Sequence, residues 1–113
     1  MSEQFQAKVM EGDRGPTIVL SGTVNRAARE LLEEAYQQAE TIDGEVKLDF
    51  KNVEYINSTG IAIIVGILAR ARAAEREVGA AGLTDHYKEV FEITRLSDFM
   101  HIYDDAKPGT RGE

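Results

Sequence analysis

The chain has 113 residues, of which 42% are hydrophobic, and this suits one compact domain of ordinary size. It contains no cysteine, which excludes a disulfide framework, a thiolate metal site and a cysteine nucleophile. A formal net charge of −7 would repel a phosphate backbone, so nucleic acid is not an expected partner. The longest apolar run, Ile61 to Ala69, is too short to cross a bilayer, and the start lacks signal-peptide features. We therefore expect a soluble cytoplasmic protein that does not bind a membrane.

The first third predicts two strands and a helix. "FQAKVM" alternates apolar and polar residues, "EGDRG" supplies a turn, and "TIVLSG" is rich in β-branched residues, which together predict an antiparallel pair. In "NRAARELLEEAYQQAETI" the apolar residues recur every three or four positions. This predicts a helix that is capped by Asn25 and ends near Asp43 and Gly44.

The remainder alternates between strand and helix. "VKLDF" and "VEYI" predict two short strands, and a second helix begins in "NSTG". "VGAAGL" predicts a buried strand, Thr84 caps the helix "DHYKEVFEITRL", and "FMHIY" predicts a short last strand. The expected inward side chains of that helix are Tyr87, Val90, Phe91 and Leu96. The order predicts a single α/β domain whose mixed four- to five-stranded sheet starts antiparallel and continues in parallel βα units.

The second helix is apolar enough to leave its orientation open. At about 100° per residue, the side that carries Ile61, Ile64, Val65 and Leu68 is the expected core face. The side chains of Ile63 and Ile67 then point roughly the other way, where they either meet a partner or lie under another part of the fold. We take both as candidate contact residues.

The polar box Asn57-Ser58-Thr59-Gly60 precedes this helix. Asparagine, serine and threonine are preferred N-caps, so a structural cap is the first interpretation. A glycine in the first turn lowers helix propensity by about 0.5–1 kcal/mol relative to alanine, which the cap alone does not explain. A small residue there would let another surface approach the backbone.

The stretch "VKLDFKNVEYINSTGIAIIVGILARARA" contains a strand, a Ser/Thr-Gly box and a helix in that order. In this order it resembles the central signature of the STAS family, the anti-sigma factor antagonists of bacteria. "IVLSGTVNRAARELLEEA" is similar to its earlier strand, turn and first helix, and "GLTDHYKEVFEITRLSDFMHIYDD" to its closing part. The resemblance covers about Phe5 to Asp105, and it implies a STAS domain over residues 1–106. Residues 107–113, rich in turn formers, are expected to form a disordered tail.

The resemblance implies a regulatory protein rather than an enzyme, with no cofactor and no metal. Such a protein binds and sequesters an anti-sigma factor that is also a serine/threonine kinase. The kinase phosphorylates the first hydroxyl of the box, which breaks the complex, and a phosphatase restores it. By position that hydroxyl belongs to Ser58, with Thr59 as the secondary candidate. The chain is expected to be a monomer or weak homodimer, and its expected partner-binding residues are Asn25, Asn57, Ser58, Thr59, Gly60, Ile63 and Ile67.

Two other functions stay open. Asn25 and Asn57 stand where the family commonly has aspartate, and an amide binds a metal or arginine more weakly than a carboxylate does. A STAS sensor or scaffold that is never phosphorylated, and that binds a small molecule or another signalling protein, is therefore the alternative. A phosphocarrier would use His86 or His101, but no glycine-rich or arginine cradle accompanies either, so we expect a surface histidine and a strand residue.

Overall fold

The structure, a computed structural model, describes residues 4–103. Within them, five strands form one sheet in the order β1-β2-β3-β4-β5. The strands are β1 Gln6–Gly12, β2 Gly15–Val24, β3 Val46–Ile56, β4 Val78–Ala81 and β5 His101–Ile102. The helices are α1 Arg29–Glu40, α2 Ser58–Ala73 and α3 Asp85–Ile93, and the two 3₁₀ turns are Arg26–Ala28 and Leu96–Asp98. The expected domain end at residue 106 and the expected tail, residues 107–113, lie outside the described residues.

The sheet is mixed, as the sequence predicts. β1 and β2 pair antiparallel across a tight turn, and every later pair is parallel. Each parallel pair is joined by a helix, and such crossovers are nearly always right-handed. Because the strand order follows the chain order, crossovers of one hand place all three helices on the same face of the sheet. The α/β class and the antiparallel start are confirmed.

One hydrophobic core lies between the sheet and the helices. Alternate residues of β2 and of the first half of β3 are buried, and the residues between them are half-buried, as expected of a sheet covered on one face. From the helices, Leu32, Tyr36, Ile64 and Phe91 are fully buried in the same cluster. The rings of Phe50 and Phe91 meet edge to face, with centroids 5.7 Å apart, which holds α3 on β3.

β3 is one long strand, so the prediction of two separate strands is wrong. The pairing of β2 with β3 shifts register between Val19 and Ser21, so β3 carries an extra residue there. At this bulge the Asp49 carboxylate accepts a hydrogen bond from the Lys51 amide at 2.9 Å. The polar residues that resemble a turn in the sequence therefore make a bulge, after which the strand continues to Ile56.

The ends of α1 and α3 differ from the predictions by a few residues. Asn25 caps as predicted, but it caps the first 3₁₀ turn, and α1 follows that turn. α1 ends at Glu40, and α3 ends at Ile93 because Arg95 takes a left-handed conformation (φ 69°) that the α-helix cannot continue. Thr84 caps α3 through its hydroxyl, which accepts from the Tyr87 amide at 3.2 Å. Phe91 and Leu96 are buried as expected, while Tyr87 and Val90 are half-buried.

The orientation predicted for α2 is right for Ile64 and Leu68, which are buried, and wrong for Val65. Ile63 and Ile67 are each only 2% exposed and face the sheet, whereas Val65, expected in the core, is 45% exposed. α2 carries apolar side chains on every side, so its hydrophobic pattern does not define an inward face. The orientation is set instead by Gly60, which packs on β2 and places the residues three, four and seven positions later against the sheet. Ile63 and Ile67 are therefore core residues.

Two arginines tie α1 to the segment that contains α2. The Arg70 guanidinium donates to both carboxylate oxygens of Glu40, at 3.0 Å and 2.7 Å, and lies over the Tyr36 ring. The Arg76 guanidinium donates to the backbone carbonyls just past the end of α1, including those of Ile42 and, at 2.5 Å, Gly44. Arg76 thereby satisfies carbonyls that a helix C-terminus leaves without partners.

Candidate partner-binding site at the start of α2

The candidate site lies at one edge of the sheet, where two parallel strands end side by side. Val24 and Ile56, the last residues of β2 and β3, are paired in register. Asn25 and Asn57 follow them directly, and the first 3₁₀ turn contacts α2. Asn57 is also joined to the neighbouring strand, because its amide donates to the Val24 carbonyl at 3.2 Å. The fold therefore brings the two asparagines of the predicted site onto one surface.

Both asparagines act as N-caps through their side-chain oxygens. Asn57 Oδ1 accepts from the Gly60 amide at 2.8 Å, and Asn25 Oδ1 accepts from the Ala27 amide at 3.0 Å. An aspartate could make the same bond with one oxygen and turn a second oxygen outward. Since an asparagine has a nitrogen there, each cap here carries a donor group in place of an outward acceptor. Both side chains are half-buried.

Ser58 is the first residue of α2 and is exposed. Within residues 4–103 its hydroxyl has no hydrogen-bond partner, because Asn57 supplies the side-chain cap. Thr59, the next residue, is half-buried. The serine hydroxyl is thus the accessible nucleophile of the box, at a helix N-terminus whose amides and dipole favour a negative group.

Gly60 is buried and is needed by the fold itself. A Cβ at this position would collide with the Val24 carbonyl oxygen and lie 2.9 Å from its carbon and 3.0 Å from Ile56 Cγ2. The surface that the small residue admits is therefore the end of β2 in the same chain. Gly60 positions the box but is not available to a partner, which corrects its predicted role in binding.

A tyrosine that the sequence assigned only to packing supports the box from α3. The Tyr87 hydroxyl accepts a hydrogen bond from the Ile56 amide at 2.9 Å, directly before Asn57. The His86 ring packs against the Tyr87 ring, with centroids 4.8 Å apart, and is exposed. No sequence signal indicates this contact, because the two residues it joins are 31 positions apart.

Tyr55, three residues before Ser58, and Val65, farther along α2, have exposed apolar side chains, and neither was predicted as a contact residue. Tyr55 near the end of β3 is 56% exposed, and Val65 on the outer side of α2 is 45% exposed. Tyr55 lies three residues before the predicted phosphoacceptor. The sequence could have indicated it as a contact residue, because aromatic side chains are enriched at interfaces. Ile63 and Ile67, in contrast, do not belong to this surface. His101 lies in β5, as expected, far along the chain from the box.

The match to a protein-family model decides the family. The model described as "Mlab, STAS domain" matches residues 7–102, which is most of the chain and includes the whole site. The chain belongs to the STAS family. Its box, bulged central strand and three helices are thus those of a STAS domain.

Curated relatives of this STAS domain are anti-sigma-B factor antagonists. The protein of that name from Staphylococcus aureus is 34% identical over 58 residues, which are 51% of this chain and 54% of the relative. The chain therefore spans about half the length of the Staphylococcus relatives it matches. The protein of the same name from Listeria monocytogenes is 31% identical over 86 residues, which are 75% of each chain.

Solved structures share the fold. An anti-sigma factor antagonist from Mycobacterium paratuberculosis superposes with a TM-score of 0.75 at 18% identity, over 92% of this chain and 91% of that one. The anti-sigma factor antagonist SpoIIAA in its unphosphorylated form gives 0.66 at 18% identity, over 97% and 98%. SpoIIAA of Bacillus in its phosphorylated form gives 0.65 at 17% identity, over 97% and 100%. At this identity the likeness establishes the STAS fold.

Two other kinds of site are absent from the part of the chain that the structure describes. None of the helices within residues 4–103 combines the length and apolar character needed to cross a membrane. The same residues contain no group of three or more histidine, aspartate or glutamate side chains placed to hold a metal ion.

Proposed function

We propose that the protein is an anti-sigma factor antagonist that sequesters an anti-sigma factor, itself a serine kinase, and is switched by phosphorylation of Ser58. The names of the curated relatives support the antagonist role. The phosphorylation switch is supported by the separate roles of the residues in the box. Asn57 makes the cap, Gly60 packs on Val24, and Ser58 is exposed. A kinase can reach this hydroxyl without opening the helix.

The chemistry of the switch is an ordinary phosphoryl transfer. Ser58 Oγ attacks the γ-phosphorus of ATP, ADP leaves, and the hydroxyl proton passes to a base of the kinase. The product carries about −1.5 to −2 charge at neutral pH. A phosphatase that hydrolyses the ester restores the hydroxyl, and partner, kinase and phosphatase all act in the cytoplasm under this proposal.

The same charge has opposite effects on the fold and on the complex. At the start of α2 the helix dipole and free amides stabilise a phosphate by about 0.3–1 kcal/mol, and up to about 2 kcal/mol, so the domain stays folded. At a protein interface an unpaired charge must lose its water at a cost of several kcal/mol. Because each 1.4 kcal/mol changes the affinity about tenfold, phosphorylation lowers the affinity for the partner by a large factor and so releases it.

The proposed contact surface consists of exposed and half-buried residues around Ser58. Asn25, Asn57 and Thr59 retain their predicted role, and Tyr55 is added because its side chain is exposed two residues before Asn57. The outward amides of the two asparagines suit a carbonyl or carboxylate of the partner, whereas two aspartates would suit an arginine or a metal.

Phosphorylation in vitro tests the proposal. The purified protein is incubated with ATP and the candidate kinase, and phosphate is located by mass spectrometry. We expect one phosphate on Ser58, none on the Ser58→Ala variant, and an unchanged product from Thr59→Ala, the matched control. Phosphate on neither hydroxyl, together with a stable complex with the kinase, would favour the non-phosphorylated scaffold instead.

A further inference from the structure

An apolar groove lies at the opposite end of α2 from Ser58. Between the second half of α2 and the second 3₁₀ turn it encloses about 290 Å³, and Leu96 is buried at its base. Val65 and Phe99 line it with side chains that are 45% and 50% exposed. Neighbouring exposed apolar side chains of this size mark interaction surfaces. α2 runs roughly 10 Å from Ser58 to Val65, where the groove starts, and roughly 21 Å to Arg72, at 1.5 Å per residue, so the groove lies beyond the proposed phosphorylation site.

The rim of the groove is basic, although the protein as a whole carries a net charge of −7. Two arginines, Arg72 and Arg95, line it. The Arg95 guanidinium is already paired with Asp98 at 2.8 Å. The Arg72 guanidinium instead lies over the face of the Phe99 ring, 5.1 Å from its centroid. A guanidinium stacked in this way keeps its in-plane N–H groups available to a carboxylate. The groove therefore combines an apolar floor with one cation suited to an acidic group.

The exposed side of α2 indicates the shape of the occupant. Ala62, Val65, Ala69 and Arg72 are all exposed and follow one another at alternating spacings of three and four residues. This spacing forms a straight seam along a helix, and the two alanines let a second helix approach closely. A helix laid on this seam would place an apolar side chain in the groove and a neighbouring residue beside Arg72.

We propose that this groove binds an amphipathic helix of a partner protein, which inserts an apolar side chain between Val65 and Phe99 and pairs a carboxylate with Arg72. The site is distinct from the box and does not depend on phosphorylation or on an anti-sigma factor. It gives the domain a second docking surface on the same helix as Ser58.

Two synthetic helical peptides of about 18 residues provide the test, since that length is sufficient for appreciable helicity. Both have the same heptad-spaced leucines, but one carries glutamates beside them and the other lysines. Each is titrated into the isotopically labelled full-length protein, and amide chemical shifts are followed by NMR. We expect the glutamate peptide to shift the resonances of Val65, Ala69 and Phe99 and to bind at least about fivefold more tightly than the lysine peptide. A net charge of −7 favours the opposite order, so this preference would report the local rim.

Charge reversal at the rim provides the second part of the test. Arg72→Glu should weaken the glutamate peptide about tenfold or more, while Lys8→Glu, with the same charge change on the edge strand β1, should alter its affinity less than about twofold. If circular dichroism shows that Arg72→Glu is unfolded, Arg72→Gln is used instead. This variant should also lose the preference for the glutamate peptide over the lysine peptide. Four results would each overturn the proposal. The first two are the absence of shifts in the groove and equal affinity for both peptides. The other two are groove shifts that depend on protein concentration alone, as expected of a second copy of the chain, and groove shifts that the fatty acid dodecanoate produces but the peptide does not.

Discussion

Gly60 lies directly against the carbonyl group of Val24, with no room for a side chain between them. This contact fixes both the start and the orientation of α2, because Asn57 is hydrogen-bonded to the same carbonyl. A residue of low helix propensity thus determines which face of the helix is buried.

We expect Gly60→Ala to destabilise the domain. Overpacking against backbone costs about 1–3 kcal/mol, which exceeds the gain of up to about 1 kcal/mol in helix propensity. Gly66→Ala is the matched control, since an added Cβ at Gly66 meets no atom within 4 Å, and it should stabilise by about 0.4–1 kcal/mol. Denaturant unfolding of both variants measures the difference. Equal effects would show that the Val24 contact is not restrictive.

The burial of Ile67 predicts that Ile67→Glu unfolds the protein. A carboxylate would replace a side chain that is 2% exposed in the core, at a cost of about 4 kcal/mol or more. Val65→Glu, on the exposed side of the same helix, should change stability by less than about 1 kcal/mol. Thermal melts followed by circular dichroism distinguish the two. A folded Ile67→Glu variant of normal stability would return Ile67 to the surface.

Arg76 should matter more for stability than its charge suggests, because its guanidinium donates to several carbonyls beyond the end of α1. We expect Arg76→Met, which keeps the apolar stem, to cost about 1–2 kcal/mol. Arg29→Met is the control and should cost less than about 0.5 kcal/mol, since the ion pair of Arg29 with Glu33 is exposed and 3.9 Å long. A similar loss in both variants would mean that the carbonyl contacts contribute little.

A tyrosine beside β5 predicts a pH-dependent contribution. The Tyr103 hydroxyl donates to the Glu45 carboxylate at 2.5 Å, and this hydrogen bond, with some burial, raises the pKa of the phenol above 10.0. A raised pKa stabilises the fold while the phenol is protonated, so the contribution is present below pH 10 and is lost as the pH rises through the folded-state value.

Tyr103→Phe should therefore cost up to about 1 kcal/mol at neutral pH, a modest amount because the pair is only half-buried. The difference between wild type and variant should disappear at strongly alkaline pH. Urea unfolding at a series of pH values measures it, and a difference that grows above pH 10 would contradict the assignment.

Local signals in the sequence predicted most elements, and tertiary contacts account for the rest. The caps at Asn25 and Thr84 are local, and both were found from residue type and position. The bulge in β3 was missed because polar residues around Lys51 resemble a turn, and only pairing with β2 shows that the strand continues. The inward face of α2 was predicted only in part, at Ile64 and Leu68, because apolar side chains lie on all sides of this helix.

The candidate site could be predicted in part for the same reason. The box is a contiguous motif, so the resemblance located Ser58 and its neighbours. The support from Tyr87, the contact of Gly60 with Val24 and the groove at Phe99 each join distant parts of the chain. Ile63 and Ile67 were taken as candidate contact residues from a helical projection, which left open whether they meet a partner or lie under another part of the fold, because it cannot locate the sheet.

The residues of the box have separate roles, so the fold depends on some of its positions and not on others. Asn57 and Gly60 are committed to the fold through the backbone, while the hydroxyl of Ser58 supports nothing else in residues 4–103. Under the proposed switch, Ser58 would therefore be phosphorylated and dephosphorylated repeatedly while the native structure persists. The phosphorylation state of Ser58 could then be set and reversed without unfolding of the domain.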